Sequence, residues 1–196
     1  LLVSSAASDV YKRQVFMAGV LWSTVGLGIR MIDEATVWQI LLYRSISLSL
    51  FLAIVIYLRS SENLFTVVRA AGLPACIAGL ALVGAYAGGI YGIQSTSVAN
   101  AMLLFASAPF MAAILGWIFL REKVRKATWV SILFAMLGIG IMVQDKSQGS
   151  ALLGNLAALG SAFGFAVFTV ALRWGRSGEM LPAVFLSGIF AIFITS

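Results

Sequence analysis

The chain has 196 residues, of which 61% are hydrophobic and only 10% are charged. Soluble domains average about 45–50% apolar and about 25% charged residues, so this composition excludes an ordinary water-soluble fold. The formal net charge of +6 does not indicate nucleic-acid binding, because the basic residues lie at the ends of apolar blocks rather than along one face.

Two residue types limit the chemistry that the chain can perform. There is no histidine, which removes the commonest general base and the commonest metal ligand. Cys76 is the only cysteine, so a disulfide within the chain and a cysteine-based metal site are excluded. No nucleophile, acid and metal ligands converge in the sequence, and we expect neither an enzyme nor a cofactor.

The first 14 residues, LLVSSAASDVYKRQ, are polar and unlike the sequence that follows. They resemble adaptor read-through from sequence assembly, and we predict that residues 1–14 are a non-native extension. A signal peptide is the alternative reading. The basic pair Lys12 and Arg13, however, leads into an apolar block that favours a first membrane-spanning helix.

Seven apolar blocks follow in chain order, and a bilayer core requires about 20 apolar residues in a helix. Only helices satisfy every backbone polar group in lipid over such lengths, so we predict an all-α membrane protein, a multi-span helical bundle. The last block stops at the end of the chain and is expected to be truncated. The predicted spans are Val15–Ile32, Ala35–Leu58, Ala70–Ile93, Ser97–Leu120, Ala127–Val143, Ala151–Leu172 and Met180–Ser196.

Basic residues are unevenly divided between the two sets of loops. Eight lie in the loops after the second, fourth and sixth spans, and two lie in the loops on the other side. Because basic residues favour the cytoplasmic side, this bias predicts a cytoplasmic N-terminus. The eight are Arg59, Arg69, Arg121, Lys123, Arg125, Lys126, Arg173 and Arg176, and the two are Arg30 and Lys146.

Sliding the chain on itself by 143 positions places Trp22 on Phe165 and Arg30 on Arg173, and lays Val37–Ile46 over Met180–Ile189 without a gap. The repeat unit would contain five spans, and an odd number gives the second copy the opposite orientation. Such inverted repeats are typical of secondary transporters, whose substrate site lies near the midplane between the halves. We therefore divide the chain into a first repeat at residues 15–147 and the start of a truncated second repeat at residues 148–196.

Several features of Ser95–Val143 occur in a characteristic order: a small-residue entry, a mid-helix Pro109, a helix ending in a hydrophobic residue and a glutamate before basic residues, and a span with late glycines. Together with the opening GVLWSTVGLGIR, this order resembles the drug/metabolite transporter superfamily, EamA type. The resemblance implies ten spans in two five-helix repeats. One departure is Arg121, which stands where the family usually has glycine.

What the resemblance implies is a transporter of a small organic metabolite, an amino acid or a related solute, acting by alternating access in a bacterial inner membrane, with export as the favoured direction. A non-transporting scaffold, a facilitator and a multidrug-type exporter of the same fold are the alternatives. The expected partners are a small-molecule substrate and the lipid bilayer. A homodimer is left open.

Apart from Arg30, near the end of the first span, Arg44 is the one charged residue inside a predicted span, and such a position is costly unless the side chain faces protein or water. It is a candidate for attracting a carboxylate or phosphate in a translocation cavity. The alternative is an arginine fixed against backbone carbonyls or a helix dipole. Pro109 lies midway along the fourth span and predicts a kink, with Ser107 beside it on the same helix.

The remaining cavity candidates are aromatic and hydroxyl side chains within the spans. Trp22, Ser23 and Thr24 lie near the middle of the first span, and Tyr86 lies in the outer half of the third, where an aromatic ring can stack on a planar substrate. Thr169 in the sixth span is a weaker candidate, because threonine in membrane helices commonly bonds its own backbone.

Two further patterns predict packing and topology rather than chemistry. Small-residue ridges that let helices approach closely are predicted at Gly84, Gly88 and Gly92 and at Gly160 and Gly164. Glu122, among the basic residues after the fourth span, is interpreted as part of a solvated turn.

Overall fold

The computed structural model describes residues 2–32, 34–59, 64–144, 149–175 and 180–196. Within these ranges the regular structure is helical and contains no strand, which confirms the predicted all-α fold class. The eight helices of the described residues are α1 (Leu2–Arg30), α2 (Val37–Arg59), α3 (Leu64–Ser95), α4 (Val98–Phe105), α5 (Ala108–Leu120), α6 (Lys126–Gln144), α7 (Gly149–Trp174) and α8 (Leu181–Thr195).

Four segments of the described residues are long and apolar enough to cross a membrane: Val37–Leu58, Gly72–Ser95, Val98–Leu120 and Leu152–Trp174. They coincide with the second, third, fourth and sixth predicted spans. Two shorter apolar helical segments, Lys126–Ile141 and Leu181–Thr195, fall at the fifth and seventh. The division of the chain into inverted repeats stays a prediction.

The chain forms two units, residues 1–34 and residues 35–196. The first contains α1, which has 29 residues and runs without interruption through the predicted extension and the predicted first span. Helix α1 is not among the four spanning segments, and its N-terminal half carries the charged residues Asp9, Lys12 and Arg13. A first span at Val15–Ile32 therefore stays a prediction.

The helical path of the second unit is interrupted at two places. In α3 the backbone of Gly72 adopts φ 64° and ψ −164°, a conformation open almost only to glycine, and Pro74 follows at the start of the membrane-spanning part. The predicted fourth span is divided into α4 and α5 at Ala106 and Ser107, just before Pro109. Because proline has no backbone N–H, the helix cannot continue its hydrogen-bond ladder through this position.

Helices α3 and α7 pack antiparallel through small residues. A Cβ on Gly88 would lie 2.7 Å from the carbonyl oxygen of Ala157, and one on Gly164 would lie 2.8 Å from that of Ala81. Gly92 similarly lies against Ala158. Glycine at these positions lets the two backbones approach more closely than any side chain would permit.

The glycine prediction is only partly correct, since a Cβ on Gly84 or on Gly160 would meet nothing within 4 Å. The α3 residues that face α7 are instead Ala81, Ala85, Gly88 and Gly92. Their spacing of four, three and four residues keeps them on one face of the helix, because an α-helix has 3.6 residues per turn. Residues spaced strictly by four turn gradually away from that face.

Helix α8 packs against both α2 and α3. Gly79 on α3 lies against Leu186 and Ser187, and Gly188 lies so close to Ser49 on α2 that a Cβ would overlap the Ser49 hydroxyl oxygen. Farther along the pair, Leu52 and Ile56 of α2 contact Phe185 of α8. Because residue numbers rise along α2 as they fall along α8, this pair is also antiparallel.

Candidate functional site

The cation predicted within the second span lies against an aromatic ring of the neighbouring spanning helix. The guanidinium carbon of Arg44 on α2 lies 3.5 Å from the centroid of the Tyr86 ring on α3. An arginine stacked on an aromatic face away from water gains about 2 kcal/mol or more. Arg44 and Tyr86 were separate candidates in the sequence, and the structure brings them into direct contact.

The Arg44–Tyr86 contact leaves the hydrogen-bonding capacity of Arg44 incompletely used. The Nη1 atom of Arg44 is buried and makes no hydrogen bond to the described residues. A guanidinium has five N–H donors in a fixed planar arrangement, and stacking on a ring satisfies none of them. All seven acidic residues of the chain lie outside the predicted spans. The arrangement therefore holds a cation that can still donate a hydrogen bond to an anionic or carbonyl oxygen.

The break in the fourth span lies close to this contact on α3. The hydroxyl of Ser107 is buried and donates to the Leu104 carbonyl oxygen at 2.6 Å. Phe105, the last residue of α4, packs on Gly89, one helical turn beyond Tyr86. The Pro109 side chain is exposed, so Pro109 affects this region through its missing backbone N–H rather than through side-chain contacts.

A hydrogen bond that the sequence did not predict fixes the α3 backbone beside Tyr86. The hydroxyl of Ser161 on α7 is buried and donates to the carbonyl oxygen of Ala85 at 2.5 Å. Such bonds between membrane helices contribute about 0.6–2 kcal/mol. The only signal in the sequence was a serine beside Gly160, which is common in membrane helices.

The hydroxyl groups of three other predicted cavity residues bond to carbonyl oxygens of their own helices. Thr169 donates to the carbonyl oxygen of Phe165 on its own helix at 2.9 Å. In the first unit, the Ser23 hydroxyl donates to the Val20 carbonyl oxygen at 2.7 Å. The Thr24 hydroxyl donates to the Leu21 carbonyl oxygen at 2.8 Å. Trp22 is 56% exposed on the same helix. A role for these four residues in a cavity stays a prediction.

An ion pair joins the end of α5 to the end of α7, and we call it the clasp. Arg173 donates from Nη1 to Oε2 of Glu122 at 2.6 Å and from Nη2 to the carbonyl oxygen of Ala112 at 3.2 Å. A Cβ on Gly116 would lie 2.8 Å from Glu122 Oε2 and 2.9 Å from Arg173 Nη2, so the small residue makes room for the pair. Glu122 is thus a partner in a contact between helices, which its interpretation as part of a solvated turn missed.

The same turn shows how the chain accommodates Arg121. Its backbone is left-handed, with φ 54° and ψ 32°, and the Glu122 N–H donates to the Gly116 carbonyl oxygen at 3.2 Å. Glycine is the usual residue with a left-handed backbone at a helix end, and arginine adopts it here at a cost of about 1–2 kcal/mol. The departure from glycine leaves the turn intact.

Beside the clasp an open groove of about 700 Å³ lies between the end of α5 and the start of α6. The rings of Trp117 and Trp129 meet edge to face in it, with their centroids 5.3 Å apart. We call this the hairpin groove. It is lined by Trp117, Ile118, Arg121, Glu122, Lys123, Val124 and Trp129.

No group of three or more cysteine or acidic side chains that could hold a metal ion occurs in the described part of the chain. The loop containing Asp145 and Lys146, as well as Arg176, lies outside the described residues.

Comparison with known proteins identifies curated relatives, of which one is named as a transporter and one as a solute carrier. The chain is 33% identical over 87 residues to the uncharacterized transporter YetK of Bacillus subtilis, covering 41% of this chain and 26% of YetK. It is 30% identical over 107 residues to solute carrier family 35 member G1 of Mus musculus, covering 48% and 29% of the two chains. Protein RarD of Salmonella typhi is 27% identical over 111 residues, covering 55% and 36%.

The chain therefore spans about a quarter to a third of the length of these relatives. No solved structure matches it. The model of the EamA-like transporter family matches residues 14–144, which contain α2 to α6 and most of α1. This is a family of membrane transporters, which confirms the expectations of a membrane protein and of a chain that is not an enzyme. On this match the chain belongs to the EamA-like transporter family.

Proposed function

We propose that the full-length protein is a secondary transporter of a bacterial plasma membrane that moves a small organic metabolite by alternating access. The substrate class is an amino acid or a related solute, and the direction is export. The observation that carries the proposal is the Arg44 guanidinium, which lies within a spanning helix on the Tyr86 ring with a buried Nη1 that makes no hydrogen bond to the described residues.

The chemistry of Arg44 favours a solute with a carboxylate. The planar guanidinium fork matches a carboxylate with two parallel hydrogen bonds, and charge-assisted bonds of this kind are about twice as strong as neutral ones. Tyr86 covers one face of the guanidinium, so its edge is the part that can bind an anion. In a low-dielectric site such a ligand would offset the cost of keeping the cation within the membrane.

The crossing of α2 and α8 supports the inverted repeat on which alternating access depends. The shift of 143 residues pairs Ser45 with Gly188. In the structure a Cβ on Gly188 would lie 3.4 Å from the Ser45 carbonyl oxygen, so two equivalent positions contact each other in an antiparallel helix pair. Contact between equivalent positions is what a two-fold axis passing through the crossing requires.

The clasp joins the two predicted repeats and would stabilise one of the two closed states of the transport cycle. Glu122 belongs to the predicted first repeat and Arg173 to the predicted second repeat, and both follow spans that end on the predicted cytoplasmic side. When one repeat moves against the other, contacts between repeats at the opening side must separate. We therefore assign the clasp to the state that is closed toward the cytoplasm, where the N-terminus is also predicted to lie.

A facilitator that runs down the solute gradient is the second candidate. Coupled carriers commonly use an acidic or histidine side chain within the membrane, and the predicted spans of this chain contain none. Dependence of accumulation on an imposed proton or sodium gradient separates the two candidates, because a facilitator equilibrates its solute without accumulating it.

The proposal is tested with the full-length protein in proteoliposomes, using radiolabelled pools of amino acids, nucleosides and organic acids. We expect transport of a carboxylate-bearing pool and a loss of at least about tenfold in Tyr86→Leu, since about 2 kcal/mol of cation–π contact is removed from Arg44.

Tyr43→Leu is the matched control, because Tyr43 precedes Arg44 on α2 but its side chain is 71% exposed. This variant should transport at the wild-type rate. Absence of transport from every pool by folded wild-type protein would favour a non-transporting scaffold, and transport confined to apolar cations would favour a multidrug-type exporter.

A further inference from the structure

The hairpin groove combines an apolar wall with a basic rim. Trp117 and Ile118 on α5 are 50% and 53% exposed, at the end of a segment that is apolar enough to span a membrane. Trp129 closes the opposite side from α6. Tryptophan is enriched where hydrocarbon meets headgroups, because its ring is apolar and its N–H is polar. The groove therefore opens at the level of the membrane interface.

The charge of the groove is positive even though a carboxylate lines it. Arg121 and Lys123 contribute two cations, and the one acidic lining residue, Glu122, is paired with Arg173 at 2.6 Å. Because the Glu122 charge is compensated from α7, it does not neutralise Arg121 and Lys123. Two cations beside an exposed apolar wall are complementary to a molecule with an anionic head and an apolar tail.

We propose that the hairpin groove binds one anionic phospholipid of the cytoplasmic leaflet. Arg121 and Lys123 bind the lipid phosphate and its anionic headgroup, and the acyl chains lie along Trp117 and Ile118. The predicted orientation places this turn at the cytoplasmic surface, where anionic lipids attract basic residues next to spanning helices. The site is separate from Arg44, so its test does not depend on the transported solute.

The test uses the full-length protein with Phe in place of Trp22, Trp38 and Trp174, so that the emission from this region comes from the groove pair Trp117 and Trp129. The protein is placed in nanodiscs of phosphatidylcholine containing a minor fraction of brominated lipid, which quenches tryptophan on contact. Brominated phosphatidylglycerol should quench more strongly than brominated phosphatidylcholine at the same fraction.

The double variant Arg121→Gln/Lys123→Gln should lose this preference. Each charge-assisted hydrogen bond to the lipid phosphate contributes about tenfold or more in affinity, so the preference for phosphatidylglycerol should fall by at least about tenfold. Arg125→Gln/Lys126→Gln is the matched control, because it removes the same charge from the same turn without altering a lining residue of the groove. It should keep most of the preference.

Equal quenching by the two brominated lipids would overturn the proposal, since the groove would then hold lipid by apolar contact alone. Equal losses in the two double variants would also overturn it, because the attraction would then belong to the surface as a whole. If Arg121→Gln fails to fold, Arg121→Gly removes the same cation and suits the left-handed backbone at that position.

Discussion

The two sides of α3 differ in the residues that they bury. The side facing α7 is filled by small residues, and across it the Ser161 hydroxyl donates to the Ala85 carbonyl oxygen. The side facing α2 carries Arg44 on the Tyr86 ring, with Nη1 buried and making no hydrogen bond to the described residues. The first arrangement stabilises a fixed helix pair. The second retains a costly charge without full compensation, which is the usual mark of a functional position in a membrane.

The largest expected effect comes from filling the close approach between α3 and α7. Gly88→Ala should lower the free energy of unfolding by about 1–3 kcal/mol, because the new methyl group would meet the Ala157 backbone, which cannot move aside. Gly84→Ala is the control on the same helix, where a Cβ meets nothing within 4 Å. Thermal unfolding in detergent should show a loss only for Gly88→Ala, and equal effects would contradict the packing described.

Replacing Arg44 by leucine should have the opposite effect on stability. The desolvation cost of the guanidinium exceeds its cation–π gain, so we expect Arg44→Leu to leave the unfolding free energy unchanged or to raise it by about 1 kcal/mol. Ser45→Leu, at the adjacent position, should destabilise, because Ser45 is 1% exposed and faces Gly188 at the α2–α8 crossing. Unfolding of Arg44→Leu at a much lower temperature than wild type would show that Arg44 is a structural residue.

The clasp offers a charged contact that is satisfied but partly exposed. Its side chains are 40% and 41% exposed, so solvent screens the pair. Glu122→Gln should cost no more than about 1 kcal/mol of unfolding free energy. A double-mutant cycle with Arg173→Gln measures the coupling between the two side chains. A coupling energy near zero would show that the clasp does not stabilise the state closed toward the cytoplasm.

The smallest expected effect is a gain at the helix end beside the clasp. Arg121→Gly removes the strain of a left-handed arginine, and the greater flexibility of glycine in the unfolded chain offsets part of that gain. We expect a net stabilisation of about 0.5 kcal/mol, measured by chemical unfolding. Lys123→Gly in the same turn has no positive φ to relieve and should not stabilise the protein.

The sequence was sufficient for features that depend on the order of residues alone. Blocks of apolar residues predicted the helices of the second unit, and a charged residue within one block singled out Arg44. The proline at position 109 predicted a kink in the fourth span, and the structure has a break between α4 and α5 at Ala106 and Ser107. Each of these follows from local chemistry that holds in any arrangement of the helices.

Features that depend on the rotation of one helix against another could not be obtained in the same way. The contact of Arg44 with Tyr86 and the pairing of Glu122 with Arg173 join residues 42 and 51 positions apart. The four-residue glycine spacing included Gly84 and Gly160, because sequence spacing does not state where two helices cross. The stripe formed by Ala81, Ala85, Gly88 and Gly92 is recognisable only once α7 is in place.

Transport by Arg44 variants in proteoliposomes tests the central claim most directly, with rates normalised to folded protein. We predict that Arg44→Leu loses transport of the carboxylate-bearing solute while remaining folded. Arg44→Lys should keep part of the activity, because it retains the charge but loses the planar fork. Wild-type transport by folded Arg44→Leu would contradict a role for this cation in binding the substrate.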